Sequence, residues 1–166
     1  MTKLDIISDP ICPWCYIGKT KLDCALEKHP EHNFILEWHP FQLNPSMPSE
    51  GMDRREYLEA KFGGKERAVE VYSDIANAAE AAGLEINFEG IKRTPSTLNA
   101  HRLLHWAALE GKQNAVVDRL FKAYFREGHD ISSHDILTNI ATSVGMQADV
   151  TRHLLSSSAD EKDIQD

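Results

Sequence analysis

Cys12 and Cys15, in the run Asp9-Pro10-Ile11-Cys12-Pro13-Trp14-Cys15, are the residues of this chain whose types and spacing could do chemistry. On a helix, positions i and i+3 lie about one turn apart on the same face, so two thiols at that spacing can meet and close a disulfide. Proline suits a first helical position, where its missing N–H would be unbonded anyway. That puts Cys12 at the cap, where free N–H groups and the positive dipole end favour a thiolate. The expectation is a Cys12 of lowered pKa that attacks or accepts a mixed disulfide, and a Cys15 that resolves it. Pro13 and Trp14, between the thiols, are candidates to contact substrate.

A competing use of the same residues is zinc, with Cys12, Cys15, Cys24 and His29 as four ligands. If residues 13–28 form one helix, Cys24 stands about 13.5 Å further along the axis than Cys15, at about 1.5 Å per residue. Ligands so spread cannot meet one ion, so no metal is expected. Cys24 reads instead as a small buried hydrophobe. Taken singly, His39 and His101 read as structural histidines.

The elements around the thiols are legible. Leu4–Ser8 is an apolar strand broken by Asp9-Pro10. A helix from Pro13 follows, with Cys15, Gly18, Leu22, Ala25 and Leu26 as its buried face and Lys19, Lys21, Glu27 and Lys28 largely opposite. Pro30 ends it, and Phe34–His39 is a second strand. Strand, helix and strand predict a right-handed βαβ unit with parallel strands. A proline-rich loop over 44–52 leads to helices over 53–62, 65–82, 94–108, 114–127, 133–144 and 149–155, with 84–91 extended. The last residues, 156–166, are polar and acidic and are expected to fray. A two-stranded parallel sheet is a poor structure alone, since parallel sheets need both faces covered.

Composition sets the outer limits. The 166 residues are 42% hydrophobic and 27% charged, with a net charge of −8. No basic stripe exists for nucleic acid, and an anionic membrane surface is disfavoured. Three cysteines make no disulfide framework. No secretory pattern opens the sequence and no apolar run is long enough to span a bilayer, so a cytoplasmic protein is expected.

Asp9-Pro10-Ile11-Cys12-Pro13-Trp14-Cys15-Tyr16-Ile17-Gly18 resembles the active-site segment of DsbA-like thioredoxin proteins of the FrnE type, a group that includes the 2-hydroxychromene-2-carboxylate isomerases and kappa-class glutathione transferases. Trp38-His39-Pro40-Phe41-Gln42-Leu43-Asn44-Pro45, Thr94-Pro95-Ser96-Thr97-Leu98-Asn99-Ala100-His101-Arg102-Leu103 and Ala123-Tyr124-Phe125-Arg126-Glu127-Gly128-His129-Asp130-Ile131 are similar to later segments of that branch, in family order. The resemblance implies an α/β thioredoxin-like fold with a large α-helical domain inserted after the second strand. Residues 1–45 would form the N-terminal βαβ part, 46–155 the helical insertion and 156–166 a tail. His39 and Asn99, in family segments, join Pro13 and Trp14 as candidate substrate-binding residues.

The resemblance also implies activity. The glutathione-dependent isomerases and transferases typically carry serine at the position of Cys12, so an intact Cys12/Cys15 pair favours dithiol–disulfide exchange with protein or small thiols over glutathione-dependent isomerisation or transfer. No cofactor is implied, with glutathione a candidate redox partner. The family fold continues with two further strands and a cis-proline loop facing the disulfide. No strand-like segment follows Leu155 and no proline follows Pro95, so those C-terminal strands are expected to be missing here, or compensated by association, for instance as a homodimer.

Overall fold

The computed structural model describes residues 1–166. Its N-terminal part is the expected βαβ unit: β1 (Thr2–Ser8), α1 (Pro13–Lys28) and β2 (Phe34–Pro40). The strands pair in parallel, from Thr2 opposite Phe34 to Ser8 opposite Pro40. Leu4 and Ile6 turn inward on β1, as Leu36 and Trp38 do on β2, whereas Lys3, Asp5 and Ile7 face out.

Helices shield the inner face. After β3 (Met52–Asp53), α2 (Arg54–Phe62), α3 (Lys65–Ala81) and β4 (Arg93–Thr94), the chain forms α4 (Leu98–Leu109) and α5 (Gln113–Phe125), which pack against β2. Gln113 does more than pack. Its Oε1 accepts the Trp38 backbone N–H at 2.9 Å, and its Nε2 donates to the Trp38 carbonyl at 2.9 Å. One side-chain amide thus meets the outer edge of β2 as a neighbouring strand would, leaving no orphaned backbone group there. The Trp38 indole N–H donates to Asn114 Oδ1 at 3.0 Å, so the buried ring keeps its polar atom satisfied.

Helix α1 is buried on a different face from the expected one. Tyr16, Ile17 and Lys19 are buried, Cys15, Leu22 and Leu26 are half-buried, and Gly18 and Ala25 are exposed. Helical neighbours, not the sheet, decide this. Tyr16 stacks on Phe121 and Phe125 of α5, with centroids 5.0 and 5.4 Å away. Ile17 packs with Ile75 and Ala79 of α3. Lys19, expected at the surface, is paired with Asp23 and with Asp118 of α5. Cys24 is exposed, not a buried hydrophobe.

The remaining helices are α6 (His134–Ser143), α7 (Ala148–Ser156) and α8 (Glu161–Gln165). Asp53 caps α2 through the Glu56 N–H, and Ser133 caps α6 through the Ile136 N–H. The stretch 84–91 is no strand; its regular part is a 3-10 turn over Phe88–Gly90. The extended residues are instead β3 and β4, an antiparallel pair too short to be read from periodicity. Gly51 makes that pair possible: at φ 73°, a Cβ there would lie 2.6 Å from the Thr94 carbonyl oxygen.

The polar tail is packed, contrary to the expected fraying. Arg102 of α4, 1% exposed, donates to the carbonyls of Leu154, Leu155, Ser157 and Ala159, and to Asn99 Oδ1. Trp106 Nε1 donates to Asp160 Oδ2 at 2.8 Å, and Ile164 of α8 is buried. A single buried guanidinium thereby caps the carbonyl end of α7 and anchors the tail beyond it. One core runs from Ile11, Tyr16 and Trp38 through Leu103, Phe121 and Ile140 to Leu155, crossing the expected boundary at residue 45 without a break.

Replacing Arg102 with methionine should strip these buried carbonyls of their donor and destabilise the fold by about 3 kcal/mol. Urea unfolding measures this. Arg102→Lys should recover only part of the loss, because an ammonium cannot reproduce the planar fork.

Candidate dithiol active site

The thiols sit where β1 hands over to α1. Asp9-Pro10 ends the strand, and the Cys12 N–H donates to the Asp9 carbonyl at 2.9 Å, closing a tight turn. Cys12 is the N-cap of α1, with extended backbone (φ −85°, ψ 113°) and no side-chain capping bond. Its carbonyl accepts the Cys15 and Tyr16 N–H groups at 3.1 and 3.2 Å, starting the helix. Pro13 is buried, both thiols are half-buried, and Trp14 projects beside them, 52% exposed.

The two thiols perturb one another. The neighbouring Cys12 thiol, the Asp9 backbone and the Ser8 hydroxyl favour a charged Cys15 and hold its thiol down at about 6, against burial and the nearby Asp9 charge. Cys12 moves the other way, raised by the neighbouring Cys15 and by partial desolvation, while the backbone of Cys15 and Trp14 favours its thiolate. One low and one high ionisation belong to the pair as a unit.

Other expected site residues lie elsewhere. His39 is on the outward face of β2, with Nε2 2.8 Å from Asp5 Oδ1. Asn99 is turned toward Arg102 and the end of α7. Neither is held against the thiols by a hydrogen bond. Asp5, Glu37 and His39 bring three potential metal-binding atoms together, but Lys3 Nζ stands 3.3 Å from Asp5 and 2.9 Å from Glu37, so the cluster already holds a cationic group. The zinc set of Cys12, Cys15, Cys24 and His29 does not assemble: no metal-binding group of three includes a cysteine.

Neighbours missed at the sequence level complete the site. Ser8 and Asp9, read only as strand end and breaker, are among the groups that shift the Cys15 thiol. Phe41 and Leu43 follow β2 and come back to the same turn: the Phe41 N–H donates to the Ser8 carbonyl at 3.1 Å and the Leu43 N–H to Asp9 Oδ2 at 2.9 Å. Phe41 is 52% exposed and Leu43 is 38% exposed, so large apolar side chains flank the turn that carries the thiols. Beneath Cys15, a cavity of about 160 Å³ opens between α1 and the sheet, lined by Ile6, Ile7, Gly18, Leu22 and Trp38. A larger cavity of about 480 Å³, lined by Arg54, Tyr72 and Phe88, belongs to the helical part and includes neither thiol. No helix is long and apolar enough to cross a membrane.

A dithiol on a strand-to-helix turn, backed by a helical insertion, defines a thioredoxin-type fold of the DsbA kind. The model of the DSBA-like thioredoxin domain matches residues 3–166, and the chain belongs to that family. It is 30% identical to YwbO of Bacillus subtilis, described as uncharacterized, over 97% of this chain and 82% of that protein. The crystal structure of a probable DsbA oxidoreductase, SCO1869 from Streptomyces coelicolor, superposes with a TM-score of 0.86 at 27% identity, covering 99% of this chain and 72% of that one. A 2-hydroxychromene-2-carboxylate isomerase superposes at 0.69 with 15% identity, covering 98% and 75%, a likeness of fold alone.

The lowered Cys15 predicts a pH effect on the reduced protein. A thiol ionising near 6 when folded and near about 8.5 when unfolded leaves the unfolded chain with more bound protons between those values. Stability should therefore rise with pH from about 6 to about 8.5 and be lost as pH falls through 6. Above about 9 the raised Cys12 acts in the opposite sense. Denaturant titrations across this range check it. Cys15→Ser should remove the rise.

Proposed function

We propose that this protein is a thiol–disulfide oxidoreductase that cycles Cys12 and Cys15 between dithiol and disulfide. The observation that carries this reading is the placement of two half-buried free thiols three residues apart at the start of α1, where burial is outweighed by neighbouring donors that hold the Cys15 thiol down at about 6. Family membership supports the same class of chemistry, since DsbA-like proteins act on thiols and disulfides. Fold alone would not choose, because the same architecture also carries an isomerase. Two intact cysteines favour exchange.

In the forward direction the pair's remaining proton rests on Cys15, and the Cys12 thiolate attacks a substrate disulfide. The Cys12–substrate S–S bond forms as the substrate's own S–S bond breaks, releasing one substrate thiolate. Cys15 then passes its proton to that thiolate and attacks Cys12, closing the internal disulfide and releasing the second substrate thiolate. Two electrons pass to the substrate. Read in reverse, the same steps oxidise a substrate dithiol, and the reduction potential selects the direction. The exposed Trp14, Phe41 and Leu43 suit an apolar segment of a thiol-bearing polypeptide, with a small thiol such as glutathione as the redox partner.

Equilibration in glutathione buffers, with thiols trapped by alkylation and read by intact mass, tests the reading. Cys12 and Cys15 should oxidise together, with a Nernst slope of about 30 mV per decade for a two-electron couple. Cys24 should alkylate independently. Cys12→Ser should abolish disulfide exchange and Cys24→Ser leave it intact. A lasting glutathione adduct on Cys12 without an internal disulfide would overturn the proposal.

A further inference from the structure

The cavity of about 480 Å³ in the helical part is used by none of the exchange steps above. It lies between α2, the start of α3 and the segment 88–92. Its walls are tied to one another. The Arg54 N–H, at the start of α2, donates to the Lys92 carbonyl at 3.1 Å. Phe62 of α2 meets Tyr72 of α3 edge-on with centroids 6.2 Å apart, and Tyr72 meets Phe88 edge-on at 5.2 Å. Cavities that hold small organic molecules run from roughly 300 to 1,000 Å³, and this one falls in that range.

Arg54 is the unsatisfied group in it. Its guanidinium carbon lies 4.7 Å from the Tyr72 ring centroid and 5.5 Å from that of Phe88. Stacking on two rings fixes the guanidinium in place and removes water from it. Three arginines of this chain are not fully exposed: Arg54, Arg102 and Arg119. Arg102 donates to the carbonyls at the end of α7, and Arg119 pairs with Glu127 at 3.6 Å. Arg54 has neither a carboxylate nor a carbonyl to donate to, and its polar neighbour is the Tyr72 hydroxyl. A partly desolvated cation with an open donor fork is costly unless an anion meets it.

The rest of the lining selects the anion. Arg54, Arg55, Lys65 and Lys92 stand there against Asp53, Glu59 and Glu89. Four cations against three carboxylates leave one net positive charge, in a chain whose total is −8. That balance suits a single negative charge and opposes a dianion. The planar fork of arginine matches a carboxylate with two parallel hydrogen bonds. Tyr72 and Phe88 are not open to an aryl group, since they pack on each other and beneath Arg54. The apolar lining left open is aliphatic: Leu58, Ala68, Val69 and Ile91. Val69 is 63% exposed, whereas Ala68 and Ile91 are buried.

We propose that this cavity binds a small aliphatic monocarboxylate. Arg54 holds the carboxylate, the aliphatic side chains cover the hydrocarbon, and Glu59 and Glu89 reject a second negative charge. Neither thiol contributes to the site, so it does not rest on the oxidoreductase reading.

Titration with sodium octanoate tests the site, followed by NMR of the backbone amides, the Arg54 Nε–H and the Leu58 and Val69 methyl groups. The shifts should saturate at one site and stay within α2, the start of α3 and residues 88–92. Acetate, with the same charge and no chain, should bind at least about tenfold more weakly. Octyl phosphate, dianionic at about pH 8, should also be at least about tenfold weaker. Octylammonium should leave these resonances unmoved. Arg54→Gln should weaken octanoate binding by about tenfold or more, because the fork is lost. Since that variant also removes a stacked cation and could fold poorly, Val69→Glu supplies a second test at an exposed position. Its carboxylate on the α3 wall should weaken octanoate binding by a similar factor and leave disulfide exchange unchanged. Shifts that never saturate, octyl phosphate binding as tightly as octanoate, or undiminished binding to Val69→Glu overturn the proposal. Shifts centred on Asp9–Cys15 place the ligand at the dithiol and overturn it as well. None of these results bears on the two-electron couple of Cys12 and Cys15, and loss of that couple leaves the carboxylate site standing.

Discussion

The fold turns on how a two-stranded parallel sheet is kept from standing alone. Parallel strands need cover, and a pair of them has little apolar area of its own to contribute. Here the cover is α4 and α5, and Gln113 makes it specific by meeting both backbone groups of Trp38 with one amide. Tyr16 adds the second tie, stacked on Phe121 and Phe125. With those contacts made, the first turn of α1, next to Cys12 and Cys15, is held against α5. The helical part is therefore the other half of the core that holds the dithiol in place, with buried side chains continuous from Ile11 to Leu155.

The same dependence explains the electrostatics of the site. A helix N-terminus by itself would place the thiolate on the capping cysteine. In the folded chain Cys15 also has the Cys12 thiol, the Asp9 backbone and the Ser8 hydroxyl favouring its charge. Asp9 stands at the junction, linking the end of β1, the stretch after β2 through Leu43, and α4 through His101.

Much of this was legible in the sequence. The C-x-x-C with proline at the first helical position, the βαβ order, and the caps at Asp53 and Ser133 arise from local chemistry, because cap hydrogen bonds and proline geometry act within a few residues. The proposed exchange chemistry rests on the same short segment. The assignment of faces was misleading. Periodicity placed Gly18 and Ala25 inward and Lys19 outward on α1, yet Lys19 is buried and the other two are exposed. A hydrophobic pattern shows that a helix has sides; it cannot show that three different elements pack around it.

Some residues acquired meaning only in three dimensions. Asp9 reads as a strand breaker and His101 as a core histidine, 92 positions apart in the chain, and the packing of α4 behind the β1–α1 turn puts them 3.3 Å apart. Asn99 lies in the same segment as His101, but sits on the face that turns to Arg102. The polar residues after Ser156 look free in sequence and are held by a guanidinium more than fifty residues earlier. The sequence by itself determined the candidate thiol pair, the order of the elements and the family, because these depend on residue type and near-neighbour spacing. Tertiary structure alone decided which polar groups are sealed near the thiols and which helix face is buried, because those depend on desolvation and on groups brought together from distant parts of the chain.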